Sequence, residues 1–190
     1  MQKNKAFSVN PIKALVYCAM LAALSVVLAR FLSVSVAGGV RWSLDKFPLF
    51  LAGLFFGPTI GALTGFVADF TGSLMQFGFN PILCLPAILY GLLGGLLRHF
   101  LLKKFSAFRL YLCYLMPVLI GAILCQSTAL SYVYPKGDFM TSLVYYLSTR
   151  SVQFAIVSVL ETVVAYMLIK SNLFFRLGVW PKRYERKSLK

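Results

Sequence analysis

The sequence predicts an all-α integral membrane protein of six transmembrane helices in a single domain, residues 1–190, with both termini cytoplasmic. Three observations carry this expectation. Of the 190 residues, 59% are hydrophobic and 13% charged, and the mean hydropathy is +0.80. Soluble domains carry ~25% charged residues, and a soluble fold of this length has no interior large enough for so much apolar side chain. Six apolar stretches, 12–31, 46–57, 59–78, 82–102, 110–133 and 143–169, are candidates for the ~20-residue crossing of a hydrocarbon core. Finally, the basic residues fall mostly on one side of that pattern.

Span 12–31 follows Lys3, Lys5 and Lys13 and precedes Ser35-Val36-Ala37. This is the outline of a cleavable secretory signal, but the apolar run is long for one, so it reads as a first helix. Ala14, Cys18 and Ala22 form one row of small residues along it, and Ala19 and Ala23 a second; such rows mark close helix contacts in lipid. A glycine-containing loop follows, "LARFLSVSVAGGVRW", with Arg30 at its start and Arg41-Trp42 at its end.

Span 46–57 is short and ends at Gly57-Pro58, which predicts a broken hairpin with span 59–78. In the latter, Gly57, Gly61 and Gly65 lead in steps of four to Asp69, so Asp69 points into the bundle. It is a structural hydrogen-bond partner or an acceptor for an N–H-rich ring. Asn80-Pro81 is a turn signal, and Pro86 lies inside the helix that follows, one turn before Tyr90. Asn80, Pro81, Tyr90 and Trp42 are candidate ligand contacts. Aromatic residues at this level, Phe77, Phe79 and Trp42, form an interfacial belt or stack on a flat ligand. In the last span Arg150 and Glu161 are eleven residues apart, about three turns and ~16 Å along one face, with Gln153 and Ser158 nearby. Glu161 fits a structural or coupling role better than ligand contact.

Lys3, Lys5, Lys13, Arg98, Lys103, Lys104, Arg109 and the seven basic residues from Lys170 to Lys190 make fourteen of the nineteen. With six spans they share a side, which is cytoplasmic by the positive-inside rule. The basic tail is therefore a topology signal and not a nucleic-acid patch. Lys136, in the turn "YPKGD", is solvated beside Asp138, and Lys46 pairs with Asp45. Arg30 and Arg150 lie at or inside the outer ends of helices, where a guanidinium costs roughly 2.5–3.5 kcal/mol on lenient insertion scales. They either snorkel to headgroups or line an outward cavity for an anion, since arginine grips carboxylates bidentately.

No Gly-x-x-x-x-Gly-Lys-Ser/Thr loop is present, so the chain is not expected to hydrolyse ATP. Cys18, Cys84, Cys113 and Cys125 are scattered without Cys-x-x-Cys spacing, which speaks against a metal site. No nucleophile–base arrangement is recognisable, so an enzyme is unsupported.

The stretches "ALVYCAMLAALSVVLARFLS", "KFPLFLAGLFFGPTIGALTGFVADF" and "FGFNPILCLPAILYGLLGG" resemble the substrate-binding S components of energy-coupling-factor (ECF) transporters, and among them the folate-specific ones. The resemblance covers nearly the whole chain. It implies a six-helix protein of the cell membrane with a vitamin site opening outward, no cofactor, and an ECF module of a transmembrane coupling subunit and two cytoplasmic ATPases as partners. It also implies that Ala19 and Ala23, matching the family's Ala-x-x-x-Ala motif, contact the coupling subunit. Folate carries two carboxylates and a flat, donor-rich pterin. On chemical grounds Arg30, Arg41 and Arg150 are then the carboxylate partners. The competing expectations are an S component for thiamin or riboflavin, and a multi-pass membrane scaffold. A cationic vitamin calls for carboxylates where this sequence offers arginines, and a scaffold has no use for Asp69, Arg150 and Glu161.

Overall fold

The computed structural model describes residues 11–36, 40–75, 78–103 and 106–171. They form α1 (Pro11–Phe31), a ribbon of β1 (Val34–Val36) and β2 (Val40–Trp42), α2 (Lys46–Phe56), α3 (Pro58–Leu74) and α4 (Pro81–Lys103). Then come α5 (Ala107–Pro117), a π-helical stretch (Val118–Cys125), α6 (Gln126–Val133) and α7 (Phe139–Lys170). Lys3, Lys5, Phe77, Lys104 and the basic residues after Ser171 lie outside the described residues, and Arg41 and Lys103 are described by their backbone only.

Four helical rods are long and apolar enough to cross a bilayer: Ile12–Phe31, Pro81–Leu101, Ala107–Val133 and Phe139–Lys170. The last-but-one is α5, the π-helical stretch and α6 run together. The outward faces carry exposed Leu15, Met20, Leu96, Leu124, Val152 and Val163, side chains that lipid solvates while the backbone bonds within its own helix. The all-α expectation meets one exception. Where the sequence reads as a plain loop, Val34 pairs with Trp42, Ser35 with Arg41 and Val36 with Val40 in an antiparallel ribbon, because β-branched residues sit on both sides of the turn.

α2 has eleven residues, about 16 Å of helix at ~1.5 Å per residue, half of the ~30 Å hydrocarbon core. Residues Phe47 to Phe56 are all buried. A helix that is apolar all round is enclosed by others, and here α4 lies along it with α1 and α3 at its sides. Phe50 meets the Tyr114 ring edge-on at 5.0 Å, which ties α2 to α5. On its other side α4 packs against α5, the π-helical stretch and α6, while α7 covers those three and touches β2.

Close approach of α2, α3 and α4 depends on glycine. A Cβ on Gly91 would run into the Gly61 carbonyl, one on Gly65 into the Ala87 carbonyl, and one on Gly53 would lie 2.8 Å from the Gly95 nitrogen. Backbones touch where side chains would otherwise hold the helices apart. The reversal from α2 into α3 uses Gly57 at φ 100°, which an L side chain adopts only under strain, and Pro58 opens α3 with its φ already set. Asn80 Oδ1 accepts the Ile82 N–H at 3.1 Å, so Asn80-Pro81 starts α4 as a cap and first residue.

Gly91→Ala should therefore destabilise the bundle by ~1–3 kcal/mol or more, the cost of overpacking. Gly121→Ala should be milder, because its Cβ would meet the Tyr90 ring at 3.3 Å and the Pro86 carbonyl at an ordinary 3.5 Å. Melting curves of the detergent-solubilised proteins check this; equal melting of Gly91→Ala and the parent would refute the contact.

Candidate functional site

Buried polar side chains gather on the two sides of the α2 N-terminus. On the first side, Ser25, Arg30, Asp45, Lys46 and Asp69 line a cavity of about 40 Å³ between α1, α3 and α4. Lys46 Nζ pairs with Asp45 Oδ2 at 2.9 Å, as the sequence predicts, but inside the bundle and not at its rim. The Ser43 hydroxyl donates to the Asp45 carboxylate, and the Ser25 hydroxyl donates to the Asp45 carbonyl at 2.7 Å. The segment leading into α2 is thus held by its own acid and by α1. Arg30 donates to the Gly72 carbonyl, which clamps the end of α1 to α3. Asp69 accepts from Ser73 at 3.4 Å and lies within electrostatic reach of Lys46.

On the second side, Tyr114 donates to Glu161, and the Phe47 main chain faces the same carboxyl. Glu161 is 1% exposed, and its second oxygen, Oε1, has no hydrogen-bond partner. Tyr90 OH, Gln126 Oε1, Ser127 Oγ and Arg150 Nε are likewise buried without a partner. Arg150 lies within electrostatic reach of Tyr146 and Tyr90, and Lys46 senses it from the first side.

The residues named from sequence are thereby sorted. Arg30 and Asp69 share the first cavity; Tyr90 and Arg150 share the second cluster. Trp42 is half-buried on β2, beside α7, and Arg41 stands opposite Ser35 in the ribbon. Asn80 is engaged by its own helix, and Pro81 is exposed at that helix's start. Glu161 and Arg150 lie along one side of α7 with buried Gln153 and Ser158 between them, as their spacing predicts. Ala19 and Ala23 are exposed, and Ala19 lines an apolar groove of about 420 Å³ with Cys18, Ile60, Leu63, Thr64 and Val67 of α1 and α3. Sequence reading missed Ser25, Ser43, Tyr114, Gln126 and Ser127. The one available signal was Gln126-Ser127-Thr128, a polar triplet inside an apolar span.

Known proteins supply a frame for this geometry. The crystal structure of FolT bound with folic acid shares the fold, with a TM-score of 0.67 and 24% identity over 82% of this chain and 92% of that one. No curated protein matches the chain. A family model described as ECF transporter, substrate-specific component, matches residues 13–169, a range that takes in every element from α1 to α7. On that match the chain belongs to the ECF transporter substrate-specific components, membrane proteins that bind a substrate for transport and do not transform it.

Proposed function

We propose that the chain binds extracellular folate with high affinity and presents it to an ECF module, a transmembrane coupling subunit with two cytoplasmic ATPases, for uptake across the cell membrane. In this reading the six rods, with α5–α6 counted as one, all cross the membrane, α2 and α3 as a broken hairpin. Both termini are cytoplasmic, as the basic residues favour. The fold shared with FolT, whose structure holds folic acid, supports the vitamin.

The observation that carries the reading is Arg150. Its Nε is buried without a partner, and the groups in its electrostatic reach are the hydroxyls of Tyr146 and Tyr90 and the Asp45 carboxylate, which Lys46 already neutralises. A guanidinium so placed is costly unless a ligand anion completes it, and a glutamate tail supplies that anion. Arg41 and Trp42, carried by β2 beside α7, are proposed as further ligand contacts. Arg30, at the end of α1, is proposed as a further carboxylate partner.

Asp69 has a different part. A cavity of about 40 Å³ has space for roughly three waters at ~10–15 Å³ each, and not for a pterin. Asp69 balances Lys46 there. Asp69→Asn should lower the melting temperature and leave folate affinity nearly unchanged; a large loss of affinity without a change in melting would give Asp69 the ring instead.

Arg150→Ala removes a charge-assisted hydrogen bond of roughly 1.5–3 kcal/mol, so folate should bind roughly ten- to a hundredfold more weakly. Arg150→Lys should rescue only part, for lack of the planar fork. 6-Methylpterin, which has no carboxylate, should bind parent and Arg150→Ala alike. Titration calorimetry with both ligands checks this, and equal weakening of both would make Arg150 a structural residue.

Ala19 and Ala23 are proposed as the coupling-subunit contact. Tryptophan at both should abolish assembly with the module, because bulky side chains prevent close helix approach, while folate binding by the isolated chain persists. Normal assembly and transport by the double variant would move the docking face elsewhere.

A further inference from the structure

Among the buried polar atoms without partners on α4, α6 and α7 are Tyr90 OH, Gln126 Oε1, Ser127 Oγ, Arg150 Nε and Glu161 Oε1. Tyr90 and Ser127 are 0% exposed. Buried polar groups in folded proteins are paired in the large majority of cases, and each one left alone costs about 1–3 kcal/mol. Such atoms, on elements packed on one another, are not an accident of one side chain.

Local structure sets them on adjoining elements. Pro117 ends α5, and the next eight residues, Val118–Cys125, are π-helical. A π-helical insertion shifts the register of everything after it, and such insertions concentrate at functional sites. Gly121, within the stretch, lies against the Tyr90 ring, where a Cβ would stand 3.3 Å from Cδ2 and Cε2. One turn further on, α6 begins with Gln126 and Ser127. α6 packs on both α4 and α7, and Arg150 on α7 is in electrostatic reach of Tyr90. The packed elements thus carry two hydroxyls and a carboxamide oxygen, with the Arg150 guanidinium and the Glu161 carboxyl both in electrostatic reach of Tyr90.

We infer that Tyr90, Gln126 and Ser127 read the pterin ring of folate, with Arg150 marking where the ring ends and the carboxylate-bearing tail begins; this rests on the folate reading above. A pterin edge alternates N–H donors with oxygen and ring-nitrogen acceptors. Hydroxyls both donate and accept, and the glutamine oxygen accepts, so these groups match that edge, with the Glu161 carboxyl in electrostatic reach of Tyr90.

The test uses the full-length chain in detergent, with Tyr90→Phe and Ser127→Ala as variants. Each removes one hydroxyl and little volume. A hydroxyl that has no partner in the fold stabilises nothing, so both variants should melt without ligand at or above the parent's temperature. By calorimetry, folate and 6-methylpterin should each bind roughly three- to tenfold more weakly to either variant, the range for one neutral hydrogen bond. p-Aminobenzoylglutamate, which lacks the pterin, should bind parent and variants equally. Arg150→Ala should give the opposite pattern. A parent that binds neither folate nor 6-methylpterin overturns the folate reading and this inference together. A parent that binds both, with variants that bind both equally well, overturns only the inference. A lowered melting temperature with unchanged ligand affinity would make the hydroxyls structural and overturns it as well.

Discussion

Ten consecutive residues of α2 are buried, and the rest of the bundle answers to that. A helix of eleven residues cannot reach from one face of a bilayer to the other, so non-helical chain must descend to meet it. Irregular backbone is tolerated at membrane depth only inside protein. Here the descent is made by the β-ribbon and residues 43–45, and its polar groups are met locally. Ser25 of α1 takes the Asp45 carbonyl, Ser43 takes the carboxylate, and Lys46 neutralises it at 2.9 Å. The cavity these residues share reaches Ala87 of α4, six residues and about 9 Å from the start of that helix. The positive end of the α2 dipole is thereby presented inside the molecule, as half-helices present theirs to anions in transporters.

The two halves of the bundle are held by different forces. α2 to α4 are joined by backbone contact through Gly53, Gly61, Gly65, Gly91 and Gly95, an arrangement with no slack, since any added methyl collides with main chain. α5 to α7 are joined by larger side chains, a proline, a π-helical stretch and polar atoms left without partners. The apolar groove with Ala19 lies on the first half, and the unpartnered polar atoms lie on the second or on the face of α4 turned toward it. The proposed docking face and the proposed recognition site are thus separated by α2 and α4. Any coupling between them has to pass through the rigid pair, or through Lys46, which senses Asp69 on one side and Arg150 on the other.

Much of this was legible in the sequence, and what was hidden was hidden for physical reasons. Helix boundaries follow from apolar runs and from Gly57-Pro58 and Asn80-Pro81, because proline and glycine act locally. The common face of Arg150 and Glu161 follows from helical spacing. Depth does not: Asp45-Lys46 reads as a solvated pair beside a loop, and only tertiary structure shows that the loop runs inward. The ribbon escaped because three-residue strands carry too little periodicity. Gln126 and Ser127 escaped because their direction depends on a π-helical insertion upstream, which an apolar run such as Val118–Cys125 does not announce. Asn80 was legible as a turn, but the same signal serves a cap and a contact equally.

The interior charges indicate where an anion would settle. Among the described residues, Lys46 has Asp45 in contact and Asp69 in reach, and Arg30 is tied to a carbonyl on α3. Glu161 takes its hydrogen bond from a tyrosine and not from a cation, so it compensates no arginine directly. Arg150 is left with Tyr146 and Tyr90 as its strongest attractive neighbours and Asp45 behind them. A positive charge facing neutral hydroxyls in a low-dielectric interior concentrates potential around itself. It can do so stably only because the surrounding helices are fixed by packing that does not involve it. That is the same reason a bound carboxylate at this position would be gripped by a guanidinium already in place and would not have to recruit one.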